Sequence, residues 1–464
     1  MSFLDSFSKV HIIGAGGIGV SAVARLLQHE GKTVTGSDVA RNETVEELIV
    51  EGIPVAVGHE ADNIPQGTDL VVYSDAVPVT NPERVEVRRR SIRELSYFQF
   101  LGEYSKEKWT IAVSGTNGKS TTTSMLGLML ERAGFDPTVI VGSKVPTFPH
   151  KNLRLGRSKF FVVEGCEHQA HMLNLSPKMI VLTNIEEDHL DFYRDIHHIR
   201  DTFQEYIERL PEDGKLILNA DDHVSFSELK PAIPFVIYAI DNHADYSAKN
   251  LGVGDGMQTF QIWKHDKEVG DFQLHLPGKF NVANALAAAT TALELGVPAE
   301  ITAATLRDFH GIWRRFEIVG KRDDAIIISD YGHHPTAIQG TLEGAQQFYA
   351  GRRIVLAFQP HQHNRTKKLF NEFVMSFDAA DVVILPDIYD VAGREETGDQ
   401  KVSSQDLVDA TVMRDGERNV HREIIYGGSL DETQKILETM IQKNDVVLLI
   451  GAGDIYKLGK CLVR

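Results

Sequence analysis

Cysteine is almost missing from this chain of 464 residues. Only Cys166 and Cys461 occur, so no disulfide framework is implied and a reducing compartment is expected. Long apolar runs are missing too. No stretch of about eighteen apolar residues occurs, which argues against a membrane-spanning helix. Met1 to Val10 lack the basic-then-apolar order of a secretory leader, so the expected location is cytoplasmic. A basic surplus is also lacking: 48 Lys and Arg face 65 Asp and Glu, a net charge of −17. Such an acidic chain is a poor candidate for sequence-independent nucleic-acid binding, which depends on basic surface. Any anionic substrate must be met by local clusters and metal ions. No repeat or low-complexity stretch is visible, beyond glycine turns that recur after apolar strands. The length suits about three domains.

The most informative of those turns is Ser114-Gly115-Thr116-Asn117-Gly118-Lys119-Ser120-Thr121. Trp109 to Val113 ahead of it alternates as a strand, and Ser124 to Ala133 behind it carries apolar residues at helical spacing. A strand, a glycine turn and a helix place backbone N–H groups and a helix N-terminus around phosphate oxygens. Lys119 is placed to neutralise β- and γ-phosphates, and the Ser120 hydroxyl to ligate Mg²⁺. The pattern departs from the common phosphate loop in one place: Val113 stands where its first glycine belongs.

A second such turn, Gly14-Ala15-Gly16-Gly17-Ile18-Gly19, follows the strand Val10 to Ile13 and precedes a helix over about Val20 to His29. Asp38, at the end of the next strand, stands where a dinucleotide-binding fold keeps its ribose-binding acid. An NAD-dependent oxidoreductase is one reading. The same turn serves any pyrophosphate, including that of a UDP-sugar, and glycines of this kind also serve plain helix–strand packing. Leu70 to Val77 adds a further strand ending in small polar residues, Ser74 among them. Arg88-Arg89-Arg90 reads as a solvated helix face or a phosphate contact, and stays unassigned.

Further along, Phe160 to Val163 is an apolar strand ending at Glu164. A carboxylate there, beside a phosphate loop, is a usual second ligand of nucleotide-bound Mg²⁺. Met179 to Thr183 runs into Asn184 and His189, just past a strand end. A single histidine is more often structural than a ligand, and His168, His171, His197 and His198 read as surface or helix residues. Asn281 lies near the N-cap of an alanine-rich helix from Val282 to Leu295, and could cap it or read adenine edges. Arg314 and Arg315 suit either phosphate clamping or surface ion pairs. Polar strand tips recur at Asp330-Tyr331-Gly332-His333-His334-Pro335, at Gln359-Pro360-His361-Gln362-His363-Asn364-Arg365, and at Gly451-Ala452-Gly453-Asp454. The whole is an α/β chain with polar strand tips.

Taken in order, these motifs resemble those of the Mur ligase family nearly end to end. The resemblance rests on Gly14 to Gly19, Gly115 to Ser120, Glu164-Gly165-Cys166-Glu167, Thr183-Asn184-Ile185-Glu186-Glu187-Asp188-His189, Asn281 to Leu286, Arg314-Arg315-Phe316-Glu317, Asp330 to Pro335 and Gln359-Pro360-His361. It implies three α/β domains: a Rossmann-like UDP-binding domain over 1–107, a central P-loop ATPase domain with a mostly parallel sheet over 108–317, and a Rossmann-like C-terminal domain over 318–464. It implies peptidoglycan precursor synthesis by ATP-dependent amide formation between the lactyl carboxylate of UDP-N-acetylmuramate and L-alanine, through an acyl phosphate. Joining a tripeptide to the same sugar is the alternative. No lysine lies between His189 and Lys215, where ligases adding later peptide residues are expected to supply a carbamylated one.

Site roles follow from the same resemblance. Ser120 and Glu164 match ligands of a first Mg²⁺ and His189 of a second, with Mn²⁺ able to substitute. Gly115, Thr116, Asn117, Gly118, Lys119, Ser120 and Thr121 match the ATP-phosphate loop. Asn281 and Asn284 match adenine contacts, and Arg315 a nucleotide-phosphate contact. Asp330, His333 and His334 match a motif that closes over nucleotide and acyl phosphate. His361 and Arg365 match the amino-acid and muramoyl side, and Gly14, Gly16, Gly17, Gly19, Asp38 and Ser74 the UDP-sugar site. Lys119, Glu164, His189, His334 and Arg365 are the catalytic candidates. The chain departs from common members at Cys166, at Gln362, which stands for an arginine, and at Phe280, which stands for a histidine. Neither nucleic acid nor a membrane is an expected partner, and the expected assembly is a monomer or homodimer.

Overall fold

The computed structural model describes residues 2–189, 192–254, 256–389 and 402–463. Its strands are β1 (Lys9–Ile13), β2 (Thr33–Asp38), β3 (Val55–Val57), β4 (Leu70–Tyr73), β5 (Arg93–Ser96), β6 (Trp109–Ser114), β7 (Thr138–Ile140), β8 (Leu153–Arg154), β9 (Phe160–Gly165), β10 (Met179–Leu182), β11 (Lys215–Asn219), β12 (Phe235–Ala239), β13 (Tyr246–Gly254), β14 (Met257–Lys264), β15 (Lys267–Leu274), β16 (Glu317–Arg322), β17 (Ala325–Asp330), β18 (Ile354–Phe358), β19 (Val382–Pro386), β20 (Glu423–Gly428) and β21 (Val446–Ile450). They build three sheets, mostly parallel, and the fold is the three-domain α/β architecture expected. Among the described residues, no helix is long and apolar enough to cross a membrane.

The chain packs as two compact units. The first comprises Met1–Ser247, Ile262–Val269 and Asn284–Thr305; the second comprises Ala248–Gln261, Gly270–Ala283 and Leu306–Arg464. In the first unit, β1 to β5 form a parallel sheet in the order β3-β2-β1-β4-β5. The order reverses beside β1, and ligands in open α/β sheets sit at such a switch point, outside the carboxyl ends of the strands. The Gly14 turn ends β1 and Ser74 follows β4, so both stand at that point.

The unit's other sheet runs β12-β11-β10-β6-β9-β7-β8, with β7 and β8 antiparallel. Buried strands covered on both faces read as continuous apolar runs, and Ile111, Ala112, Val113, Phe161, Val162 and Val163 are all essentially sealed from solvent. One apolar core serves both sheets, from Val10, Leu70 and Phe100 to Phe161, Ile180 and Tyr206. Tyr104 meets Phe161 edge-on at 5.0 Å. Buried Arg25 spans the same seam, bonding Glu47, Glu51 and Asn152.

The second unit holds the sheet β16-β17-β21-β18-β19-β20, parallel except for the edge strand β16. Its core is the apolar inner face of β17, β18, β19 and β21 with Leu437, Ile455, Leu458 and Leu462. The adjacent order β17-β21-β18 brings three polar loops to one end of the sheet. Gly451 N–H bonds the Asp330 carbonyl at 3.0 Å, and Gln359 N–H bonds the Ile450 carbonyl at 2.9 Å.

Candidate active site

The turn after β6 leads directly into the helix Lys119–Arg132, five residues earlier than apolar spacing alone indicates. Ser120, Thr121, Thr122, Thr123 and Ser124 are buried, and helical hydroxyls can bond back along their own helix, as Ser124 Oγ does to the Ser120 carbonyl. Gly115 and Gly118 take φ of +137° and +85°, a region that costs side-chain-bearing residues. A Cβ at Gly115 would lie 2.1 Å from Thr183 Oγ1, and one at Gly118 would lie 2.1 Å from Asn284 Oδ1. Only bare backbone fits. This cradle, opening onto a helix N-terminus, suits a triphosphate.

The loop is held from the tip of β10. Asn184 grips the backbone of Asn117 at two points, its Oδ1 accepting the N–H at 2.9 Å and its Nδ2 donating to the carbonyl at 3.1 Å. Thr183 Oγ1 donates to the same carbonyl. Thr116 N–H reaches the Asn184 carbonyl at 2.9 Å, and Glu186 N–H reaches Thr116 Oγ1 at 2.9 Å.

Lys119 donates to the carbonyls of Gly115 (2.6 Å) and Thr116 (2.9 Å) and pairs with Glu167 at 2.8 Å. Burial would raise the Glu167 carboxyl, but Lys119 and then His189 outweigh it and hold it below the ordinary range. Burial would lower the Lys119 ammonium, and Glu167 outweighs that and raises it. His189 Nε2 stands 3.4 Å from Glu167 Oε1, at a φ of +53°. His168, a surface residue by the sequence reading, lies 4.7 Å from the His189 ring, and half-buried His171 stacks on Phe98 at 3.9 Å. Burial, with His168 adding to it, pushes the His171 imidazole down to about 4. Burial and the neighbouring Glu167 push the Cys166 thiol up to about 12, so it stays protonated and inert at neutral pH.

Ser120, 6% exposed, stands in the first turn of the helix Lys119–Arg132, and Glu164, whose carboxylate accepts the Gly142 N–H, stands at the end of β9. They are oxygen donors of the class a hard divalent cation takes. Among the described residues no three His, Cys, Asp or Glu are arranged to hold a metal ion by themselves. Phosphate oxygens and water would have to complete such a shell, as is usual for Mg²⁺ on a nucleotide.

In the N-terminal sheet, a Cβ at Gly14 would meet Ser74 Cβ at 2.9 Å, and one at Gly19 would meet Tyr97 Cζ at 2.8 Å. Asp38, nearly buried, accepts the Gly16 N–H at 2.8 Å and the Ala40 N–H at 3.2 Å. One of its oxygens therefore buttresses the glycine turn. The arginine run is a paired helix face: Arg88 meets Glu94, while Arg89 and Arg90 meet Glu86.

Asn284, in the first unit, packs on the phosphate loop through its Oδ1, as the collision at Gly118 requires. Asn281 belongs to the second unit. The helix begins at Lys279, because the Gly278 turn (φ +92°) already sets its first residues. Asn281 therefore sits inside the first turn rather than at the cap, with Nδ2 donating to the Pro277 carbonyl at 2.7 Å.

In the second unit, Asp330 accepts the N–H groups of Phe316 (2.8 Å) and Gly332 (2.7 Å). Burial raises its carboxyl, with Arg315 opposing. His333 lies against the Tyr331 carbonyl at 3.2 Å, and His334 precedes the helix Pro335–Phe348. His361 stacks on Tyr389 with centroids 5.5 Å apart, and Arg365 Nη1 approaches its Nδ1 at 3.4 Å. Gln362, at φ +67°, stands between them at the start of the helix His363–Lys368.

Lys119, His189 and the phosphate loop thus come together in one unit, and Arg315, Asp330 and His333 in the other. Glu167 and Asn184 escaped selection, although both lie inside motifs visible in the sequence. Their contacts depend on the chain folding back after β9 and β10, which spacing does not reveal.

Three family models match this chain: the Mur ligase family catalytic domain over residues 9–109, the Mur ligase middle domain over 113–292, and the Mur ligase glutamate ligase domain over 314–453. A UDP-N-acetylmuramate–L-alanine ligase of Clostridium novyi (strain NT) is 38% identical over 463 residues, covering 99% of this chain and 98% of that one. Among solved structures, the UDP-N-acetylmuramate-alanine ligase MurC of Thermotoga maritima aligns with a TM-score of 0.81 at 28% identity, over 98% of each chain. A murein peptide ligase of Psychrobacter arcticus 273-4 aligns with a TM-score of 0.70 at 25% identity, again over 98% of each.

Proposed function

The chain belongs to the Mur ligase family, and from that premise we propose that it joins L-alanine to the lactyl carboxylate of UDP-N-acetylmuramate, with hydrolysis of ATP to ADP and phosphate. The observation that carries this is the phosphate cradle, with Lys119 inside it, in a chain related end to end to an L-alanine-adding ligase. We place the domain boundaries at 1–107, 108–317 and 318–464.

The reaction brings anions together. The carboxylate attacks the γ-phosphorus, ADP leaves, and an acyl phosphate forms. The alanine amine then attacks the acyl carbon, loses its proton, and phosphate leaves from the tetrahedral intermediate. Lys119 and the N–H groups of residues 115–121 hold the β- and γ-phosphates and offset charge on the transferring group. Mg²⁺, with Ser120 and Glu164 as first-ion ligands and His189 as a ligand of a second ion, supplies charge neutralisation when bound. Asn281 and Asn284 contact adenine, and Arg315 the nucleotide phosphates. Asp330 shapes the loop that presents His333 and His334 to nucleotide and acyl phosphate. His361 and Arg365 face the amino acid and the muramoyl group. The Gly14, Gly16, Gly17 and Gly19 turn, buttressed by Asp38 and neighboured by Ser74, takes the UDP pyrophosphate at the switch point of the first sheet.

Phosphate release from ATP tests this directly. With UDP-N-acetylmuramate present, release that depends on L-alanine is the expected result. Release only with L-alanyl-γ-D-glutamyl-diaminopimelate would reassign the chain to tripeptide ligation. Release with neither acceptor would overturn ATP-dependent ligation.

A further inference from the structure

Two adjacent arginines close the segment that ends at Phe316, and the structure treats them differently. Arg314 is 5% exposed. Its guanidinium is boxed by aromatic faces: the Tyr456 ring at 4.3 Å, the Tyr331 ring at 4.7 Å and the Trp313 ring at 5.5 Å. Its Nη2 donates to the carbonyls of Gly451 and Gly453, the latter at 2.9 Å. A planar, weakly hydrated guanidinium stacks on such faces while its fork reaches two carbonyls at once, a combination that a compact, strongly hydrated ammonium matches less well.

The backbone around it is strained and stitched in place. Arg314 and Phe316 take φ of +55° and +50°, a region L-residues hold only when their surroundings enforce it. Tyr331 N–H bonds the Arg314 carbonyl at 2.7 Å. Phe316 N–H bonds Asp330, and Arg314 N–H bonds Glu317 Oε2 at 3.0 Å. Between these two fixed residues stands Arg315, whose guanidinium lies 5.0 Å from the Tyr331 ring.

We infer that Arg314 is a positioning residue, which anchors the turn at 313–316 to the tips of β17 and β21 and so sets where Arg315 points. The inference rests on the reading of Arg315 as a nucleotide-phosphate contact. Arg314 itself touches neither substrate nor cofactor; it acts through its neighbour. The aromatic box and the two carbonyls hold Arg314, and the left-handed backbone passes that fixed position on to Arg315.

The test uses the full-length enzyme and the variants Arg314→Met, Arg315→Ala and their double, each checked for cooperative thermal melting. Arg314→Met is expected to raise KM for ATP about tenfold and to leave KM for UDP-N-acetylmuramate within twofold. A residue acting through its neighbour adds nothing once that neighbour is gone, so the double variant should match Arg315→Ala alone. Unchanged ATP kinetics in Arg314→Met, or losses that multiply in the double, would overturn the inference. Unchanged ATP kinetics in Arg315→Ala would remove the reading of Arg315 first, and the inference with it. Should Arg314→Met fail to melt cooperatively, Tyr456→Leu takes its place. It removes one wall of the box, keeps both arginines, and must show the same ATP-selective rise.

Discussion

Lys119 and Glu167 meet at 2.8 Å with side chains only 16% and 5% exposed. Removing one partner of such a pair strands a charge in the interior, at a cost of about 3 kcal/mol. Lys119→Met and Glu167→Gln should therefore lose similar stability in thermal melts. Their turnover should differ. Lys119→Met removes the group assigned to the phosphates and should cost about 10²- to 10³-fold, whereas Glu167→Gln keeps that group and should cost less. Equal losses would mean that Glu167 itself takes part in the reaction.

Asn184 holds the Asn117 backbone by a donor and an acceptor at once. Asn184→Leu preserves size and deletes both bonds, for a predicted stability loss of about 2 kcal/mol. The loosened loop should bind ATP more weakly, readable by titration calorimetry. Asn184→Asp retains the acceptor and should fall between Leu and the parent.

Gly118 and Gly134 have nearly the same φ, +85° and +81°, but only Gly118 has atoms in the way of a Cβ. Gly134→Ala should cost about 1 kcal/mol for conformation alone. Gly118→Ala adds the collision with Asn284 Oδ1 and should also suppress ATP turnover. The double variant Gly118→Ala/Asn284→Ala should regain stability. Absence of any recovery would show that the obstruction lies elsewhere.

Glu294 supplies a pH dependence away from the reaction. Its carboxylate meets Lys215 and Lys264 at 2.8 and 2.9 Å and accepts from the Tyr246 hydroxyl. Burial opposes ionisation, yet these partners pull its pKa down to about 2 from a reference of 4.5. A depressed carboxyl stabilises the fold above its unfolded pKa, and that contribution is lost as pH falls from about 4.5 towards 2. After screening, because Lys264 is half exposed, it amounts to about 1 kcal/mol. Glu294→Gln should lower stability at pH 7 by that amount and flatten the acid limb of a chemical-denaturation series between pH 5 and 3.

Strand tips and glycine turns were legible in the sequence because they are local: an apolar run ending in small or polar residues leaves few alternatives. The start of the helix at Lys119 was less so, since its first turn is built of hydroxyl residues that apolar periodicity passes over. The helix at Lys279 likewise begins ahead of its alanine-rich run. Glu167 and Asn184 needed the third dimension, for each earns its place through a partner dozens of residues away. The arginines at 88–90 show the reverse case, a prominent charge run that the fold answers with ion pairs to Glu86, one helical turn before Arg89 and Arg90, and to Glu94 on β5.

The core running without a break from Val10 to Tyr206 bears on how this chain could be rebuilt. Sequence motifs mark residues 1–107 as a cassette, but Tyr104, Phe161, Arg25 and Asn152 make its border a weld. A chimera that swapped in the first hundred residues of a relative would have to import the matching face of the next sheet as well. Cut at the motif boundary, it would leave the Asn152 carboxamide without its arginine and the Phe161 ring without the ring it meets.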